Sequence, residues 1–155
     1  MKSLRLFFIL IITLAGCSGS KTSSSYSLRT FKISSPGELK KFFSYSSDRI
    51  PFVSAHRGGS RELFPENCIA TFENTLSRVH AIIEVDPRYT KDSVIVLMHD
   101  PTLDRTTNGT GRVIDHTWEE LQRLKLKDSE GNITEYSITT LDEALAWAKS
   151  KTIPV

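Results

Sequence analysis

The sequence predicts an α/β fold. Three observations carry that prediction. From Pro51 onward, short apolar runs alternate with stretches of helical spacing. Helix starts are marked by Thr-x-x-Glu and Ser-x-x-Glu spacings. Polar clusters rich in His, Asp and Glu follow directly on the apolar runs, where parallel α/β folds place their sites.

The N-terminus reads as an export signal. Lys2 and Arg5 precede an apolar run from Leu6 to Ala15 that ends in Leu14-Ala15-Gly16-Cys17. A bilayer-spanning helix needs about 20 apolar residues, so the run fits a signal peptide better. Small residues before Cys17 resemble the lipobox of bacterial lipoproteins, in which the Cys is lipidated. Residues 1–16 are therefore expected to be a lipoprotein signal peptide. The mature protein is expected in the cell envelope, lipid-anchored to a membrane on the periplasmic side or at the cell surface. Residues 17–30, with six serines after Cys17, form a flexible tether. With Cys17 lipidated, Cys68 has no disulfide partner and is expected to be a small buried apolar residue.

Charge excludes a nucleic-acid partner. The chain has 20 basic and 18 acidic residues, and loss of Lys2 and Arg5 leaves 18 of each. No basic field remains.

Residues 31–50 form a helical preface. Ser35-Pro36-Gly37-Glu38 has a capping-box spacing with Pro at the first helical position. Phe52 to Ala55 is a first strand; Ile69, Phe72, Leu76 and Val79 recur at helical spacing; Ala81 to Val85 and Ser93 to Met98 are further strands. Asn108-Gly109 marks a turn within a polar excursion. Thr117 with Glu120, and Thr140 with Glu143, open two more helices. Ile153-Pro154-Val155 reads as the start of another strand. Alternation of this kind implies a parallel sheet buried on both sides.

Three clusters carry chemistry. His56-Arg57-Gly58-Gly59 joins a proton carrier to a guanidinium able to grip two phosphate oxygens. Glu84-Val85-Asp86 places two carboxylates two residues apart, on one side of a strand. Such a pair calls for a cation, and oxygen ligands favour Mg²⁺, Ca²⁺ or Mn²⁺. His99-Asp100 adds a second imidazole at the end of the third strand. Together these groups suit metal-assisted phosphoryl chemistry. His80 and His116 are read as solvated, and Trp118 and Trp147 as packing residues.

The ordered set His56-Arg57-Gly58, Pro65-Glu66-Asn67, Glu84-Val85-Asp86 and the run from His99 to Gly111 resembles the glycerophosphodiester phosphodiesterase family. The resemblance runs from about Val53 to the Thr139–Leu145 helix start. It implies a (β/α)8 barrel with its site at the strand C-termini. It further implies that His56 and His99 are the acid/base pair, that Glu84 and Asp86 bind a divalent metal, and that Arg57 contacts phosphate. The substrate would be a glycerophosphodiester, cut to sn-glycerol 3-phosphate and an alcohol. Cys68 departs from the family's Thr, which puts one loop-supporting hydrogen bond in question. The family takes a third metal carboxylate from the strand after the Thr140 helix, where this chain stops.

Residues 51–155 supply 105 positions, against about 250 in a complete barrel. The expectation is thus a partial catalytic domain of three to four strands, inactive by itself. Two alternatives stay open: a phospholipase-type activity on intact lipids, and an inert remnant or binding module. The residues leave open which His is the base, and whether water or the glycerol 2-hydroxyl attacks. They say nothing of oligomeric state.

Overall fold

The computed structural model describes residues 27–49 and 51–151. The signal peptide, Cys17 and the strand start at Ile153 lie outside the described residues.

Leu28 packs against Ala55, Leu76 and Ala81, and the Arg29 N–H donates to the Leu76 carbonyl at 2.8 Å. The segment read as tether up to Thr30 is thus already docked at Leu28, because an apolar seat awaits that side chain. Helix α1 (Pro36–Phe43) follows, with the Ser35 hydroxyl accepting from the Glu38 N–H. Glu38 closes its own return bond on the Ser34 N–H, at 2.6 Å. Phe42 lies 4.7 Å from Phe31 and 4.2 Å from Phe52, ring centroid to centroid. This aromatic group fastens the preface to the strand that comes next.

Strands β1 (Val53–Ala55) and β2 (Ala81–Ile83) pair in parallel, with Ser54 opposite Ile82. Helix α2 (Ile69–Leu76) makes the crossover and buries Thr71, Phe72 and Leu76. The expected continuous parallel sheet ends there. After Glu84–Asp86 the chain forms β3 (Pro87–Tyr89), which runs antiparallel to β4 (Ile95–Leu97). The connecting turn is fixed by Asp92, whose Oδ1 accepts from the Thr90 hydroxyl at 2.6 Å and the Trp118 N–H at 3.0 Å. Ser93 sits at φ 65° in that turn, so the third strand starts at Ile95 rather than at Ser93.

The polar excursion is more structured than its composition implies. It holds helix α3 (Trp118–Leu121), opened by the expected Thr117–Glu120 box. It also holds an antiparallel hairpin of β5 (Lys125–Lys127) and β6 (Ile133–Ser137), which no sequence signal had been assigned to. Leu103, Val113, Leu121, Leu126 and Ile138 bury themselves against Cys68, Val96 and Met98. Cys68 is 4% exposed, as its apolar reading required. Helix α4 (Leu141–Ser150) starts at the Thr140–Glu143 box. It packs Ala144 and Trp147 on Phe72 and Leu97.

Gly58 shows how tightly the first loop is packed. Its φ is +85°, and a Cβ there would lie 2.4 Å from the Phe72 ring. Gly131 has φ +85° too, yet nothing lies within 4 Å of its Cβ position. Gly131→Ala should therefore cost only the backbone penalty, about 1 kcal/mol. Gly58→Ala should cost about 1–3 kcal/mol more from overpacking. Urea unfolding of both variants checks this, and equal losses would contradict the packing argument.

Candidate active site

The site grows from the end of β1. The chain leaves Ala55 in a single 3-10 turn, His56–Gly58, inside which Arg57 adopts φ 53°, ψ 31°. A non-glycine residue in that left-handed region needs support from its surroundings. The Arg57 N–H donates to Glu84 Oε2 at 2.8 Å, and the Arg57 carbonyl accepts from the Asn67 N–H at 2.9 Å. Asn67 in turn exchanges two bonds with Asp86: its Nδ2 donates to Oδ2 at 2.9 Å, and its Oδ1 accepts from the Asp86 N–H at 3.0 Å. Three of the four sequence motifs are stitched together by these bonds.

Glu84 and Asp86 both contact Arg57, though not as strand neighbours. Strand β2 ends at Ile83, and the two carboxylates are aimed by the contacts just described. Asp86 Oδ2 also lies 3.7 Å from Arg57 Nε. Arg57 therefore contacts both acids, donating its backbone N–H to Glu84 and placing its guanidinium charge beside Asp86. The hydrogen bonds the guanidinium donates to described residues leave from Nη1, while Nε is buried without a partner. Nη2 donates to no described residue, which leaves it as the guanidinium donor open to an anion.

His99 lies two residues past β4, and its ring is about half exposed. Its Nδ1 is 2.8 Å from Asp100 Oδ1. Asp100 is gripped in bidentate fashion by Arg105, through Nε at 2.7 Å and Nη2 at 2.9 Å. Arg105 also forks Glu66 at 2.9 and 2.8 Å. Glu66 completes the line by accepting from Arg57 Nη1 at 3.1 and 3.2 Å. An unbroken chain, His99–Asp100–Arg105–Glu66–Arg57, connects the second imidazole to the arginine beside the first. Arg88 holds the same loop from behind, donating from Nε to the His99 carbonyl at 2.9 Å. The His56 side chain is exposed beside Arg57.

Sequence reasoning gave no role to Arg105 or Glu66. Both stood inside the motif runs, but they lie on irregular loops far apart in the chain, and no periodicity pairs them. The two other histidines match their plain readings. His80 is exposed and stacks loosely on Phe31 at 5.4 Å. His116 lies 3.9 Å from Glu120. Asn108 differs from its reading as a turn residue: it exchanges two bonds with Lys125, its Oδ1 accepting at 2.8 Å and its N–H donating at 2.9 Å, and so ties the excursion to β5. Cys68 caps α2 without a side-chain hydrogen bond to the helix, and burial pushes its thiol up, away from reactivity.

Electrostatics follow the network. Hydrogen bonds from Arg105, then from His99, hold the Asp100 carboxyl well below the usual carboxylate range. Arg105 is pushed up by Asp100 and Glu66. Burial alone would raise Glu66, but Arg105 and Arg57 outweigh it and leave this carboxyl lowered. Among the described residues no group of three His, Cys, Asp or Glu is placed to hold a metal. Glu84 and Asp86 each use one oxygen toward described residues, Oε2 and Oδ2. Their other oxygens fit an oxygen-ligand set for a hard cation.

The lowered carboxyls give a signed pH dependence. A group whose folded pKa is depressed stabilises the fold above its unfolded value, about 4, and that stability is lost as pH falls through the folded value. Asp100→Asn should lower stability at pH 7 and flatten its decline between about pH 5 and about pH 2. Urea midpoints measured across that range check this; an unchanged acid limb would contradict it.

Comparison with known proteins agrees with this geometry. The glycerophosphoryl diester phosphodiesterase family matches residues 56–154. Glycerophosphodiester phosphodiesterase 1 of Homo sapiens is 40% identical over 102 residues, which cover 64% of this chain and 30% of that protein. A crystal structure of a glycerophosphoryl diester phosphodiesterase from Parabacteroides distasonis aligns with TM-score 0.77 and 59% identity, covering 79% of this chain and 43% of that one. An Oleispira antarctica phosphodiesterase, solved with the product sn-glycerol-3-phosphate, aligns with TM-score 0.55 and 30% identity, over 66% of this chain and 42% of that one. The chain thus spans less than half the length of these relatives. Its α/β architecture corresponds to part of their (β/α)8 barrel, and the chain belongs to the glycerophosphoryl diester phosphodiesterase family.

Proposed function

We propose that this chain carries the phosphate-binding and acid/base residues of a metal-dependent hydrolase. Its substrates would be glycerophosphodiesters, cut to sn-glycerol 3-phosphate and an alcohol. One observation carries the reading: a single hydrogen-bonded network joins all four motifs, with Arg57 touching Glu84, Asp86 and Glu66. The names of the relatives and the product bound in the Oleispira neighbour support the substrate class.

In this mechanism Nη2 of the Arg57 guanidinium, which donates to no described residue, receives a phosphate oxygen. Glu84 and Asp86 would hold a divalent ion, Ca²⁺ or Mg²⁺ with Mn²⁺ as a substitute, which when bound supplies charge neutralisation at phosphorus. One imidazole takes the proton of the attacking hydroxyl as its oxygen bonds to phosphorus: water yields sn-glycerol 3-phosphate directly, whereas the glycerol 2-hydroxyl yields a cyclic phosphate that a water then opens. The other gives a proton to the departing alcohol oxygen as the P–O bond breaks. Asp100 accepts from His99 Nδ1, which leaves Nε2 to exchange that proton. The Lys2–Cys17 pattern supports export and membrane attachment of the same protein.

In the protein carrying this chain, His56→Ala or His99→Ala should reduce release of sn-glycerol 3-phosphate by about 10²–10⁴-fold while Mn²⁺ affinity persists. Glu84→Gln with Asp86→Asn should abolish Mn²⁺ binding in calorimetry. Unchanged turnover, or unchanged metal affinity, would show that these roles are misassigned. Exclusive cleavage of intact phosphatidylinositol would favour a lipid substrate instead.

A further inference from the structure

A recess of about 150 Å³ adjoins the site at Glu66 and Arg105, with Ser60, Lys127, Asp128 and Ser129 also in its wall. We propose that it receives the alcohol moiety of the diester and selects hydroxyl-bearing or anionic head groups over quaternary ammonium ones. This rests on the function proposed above and names the substrate class of that site.

Position comes first. Glu66 is a shared partition: its carboxylate accepts from Arg57 Nη1 at 3.1 and 3.2 Å and from Arg105 at 2.8 and 2.9 Å. A diester whose phosphate sits on Arg57 therefore has one of its two alcohol arms within reach of the recess. The two sides are also locked together, since the Leu63 N–H donates to Asp128 Oδ2 at 3.0 Å. The β1 loop and the β5–β6 hairpin thus form a recess that exists before a ligand arrives.

The donor and acceptor inventory then decides what fits. Both acids are saturated. Glu66 receives the two arginines, and Asp128 accepts from the N–H groups of Leu63, Glu130 and Asn132 at 3.0, 3.0 and 2.9 Å. Neither offers an open lone pair to a cation. No aromatic residue stands among the described residues of the wall, so the face that quaternary ammonium groups favour is missing. Donors remain in surplus. An ammonium has three donors, and Lys127 gives one to the Asp104 carbonyl at 2.9 Å. Among the described residues Lys127 makes no ion pair. Ser60 and Ser129 add hydroxyls at the rim. A recess rich in donors and poor in acceptors takes a carboxylate, a phosphate or a vicinal diol. Its volume suits a serine or glycerol moiety rather than an acyl chain.

Calorimetry on the protein carrying this chain tests the proposal with three probes: sn-glycerol 3-phosphate, glycerophosphoserine and glycerophosphocholine. The serine ester should bind roughly tenfold more tightly than the choline ester, the size of one charge-assisted hydrogen bond. Lys127→Met should collapse that ratio toward unity, while Lys127→Arg should keep it. Equal or tighter binding of the choline ester, or a ratio untouched by Lys127→Met, would overturn the head-group assignment alone. Failure of sn-glycerol 3-phosphate to bind would instead overturn the phosphate site, and this inference with it.

Discussion

The left-handed backbone of Arg57 is the constraint on which the site depends. That conformation costs of order 1–3 kcal/mol for a non-glycine residue and persists only where neighbours over-determine it. Here the neighbours are the motif residues themselves. Glu84 takes the Arg57 N–H and Asn67 holds its carbonyl. The twist turns the Arg57 side chain toward Asp86 and Glu66 while His56 stays exposed. Glycines at 58 and 59 continue the turn at positive φ, and Phe72 of α2 fills the space a larger residue would need. Fold and chemistry therefore share one strained junction.

Around that junction the charges alternate along Asp86, Arg57, Glu66, Arg105 and Asp100, and the His99 ring closes the line. Networks of this kind are weak sources of net stability, because desolvation offsets much of the attraction. Their value here is geometric. Glu66 and Arg105 lie 39 residues apart in sequence yet share two bonds, so the loops after β1 and β4 cannot drift independently. The same pair separates Arg57 from the recess beside it. The excursion that follows His99 also contributes core residues, such as Leu103 and Leu126, that seat it against β4.

Much of this was legible in the residues. The capping boxes at Thr117 and Thr140 mark helix starts that the structure reproduces, because capping is a local exchange of bonds. Helix α2 was legible from its apolar spacing, and the first two strands from their apolar runs. The β3–β4 pairing was not legible, because Pro87–Tyr89 is short and half-exposed; its one signal was the Asp92–Ser93 turn between β-prone residues. The β5–β6 hairpin hid in polar composition, although Asp128 and Gly131 bracket a recognisable turn. The residues with obvious chemistry, His56, Arg57, Glu84, Asp86 and His99, were singled out by spacing and resemblance. Glu66 and Arg105 escaped because their role exists only when two distant loops meet.

Whether the four motifs serve one centre can be read directly by Mn²⁺-induced line broadening in the NMR spectrum of this polypeptide. The account predicts that substoichiometric Mn²⁺ broadens the resonances of Glu84 and Asp86 together with those of His56, Arg57 and His99, and leaves α3 sharp. Broadening centred elsewhere, or at Glu84 and Asp86 with both imidazoles unaffected, would contradict a single phosphodiester site.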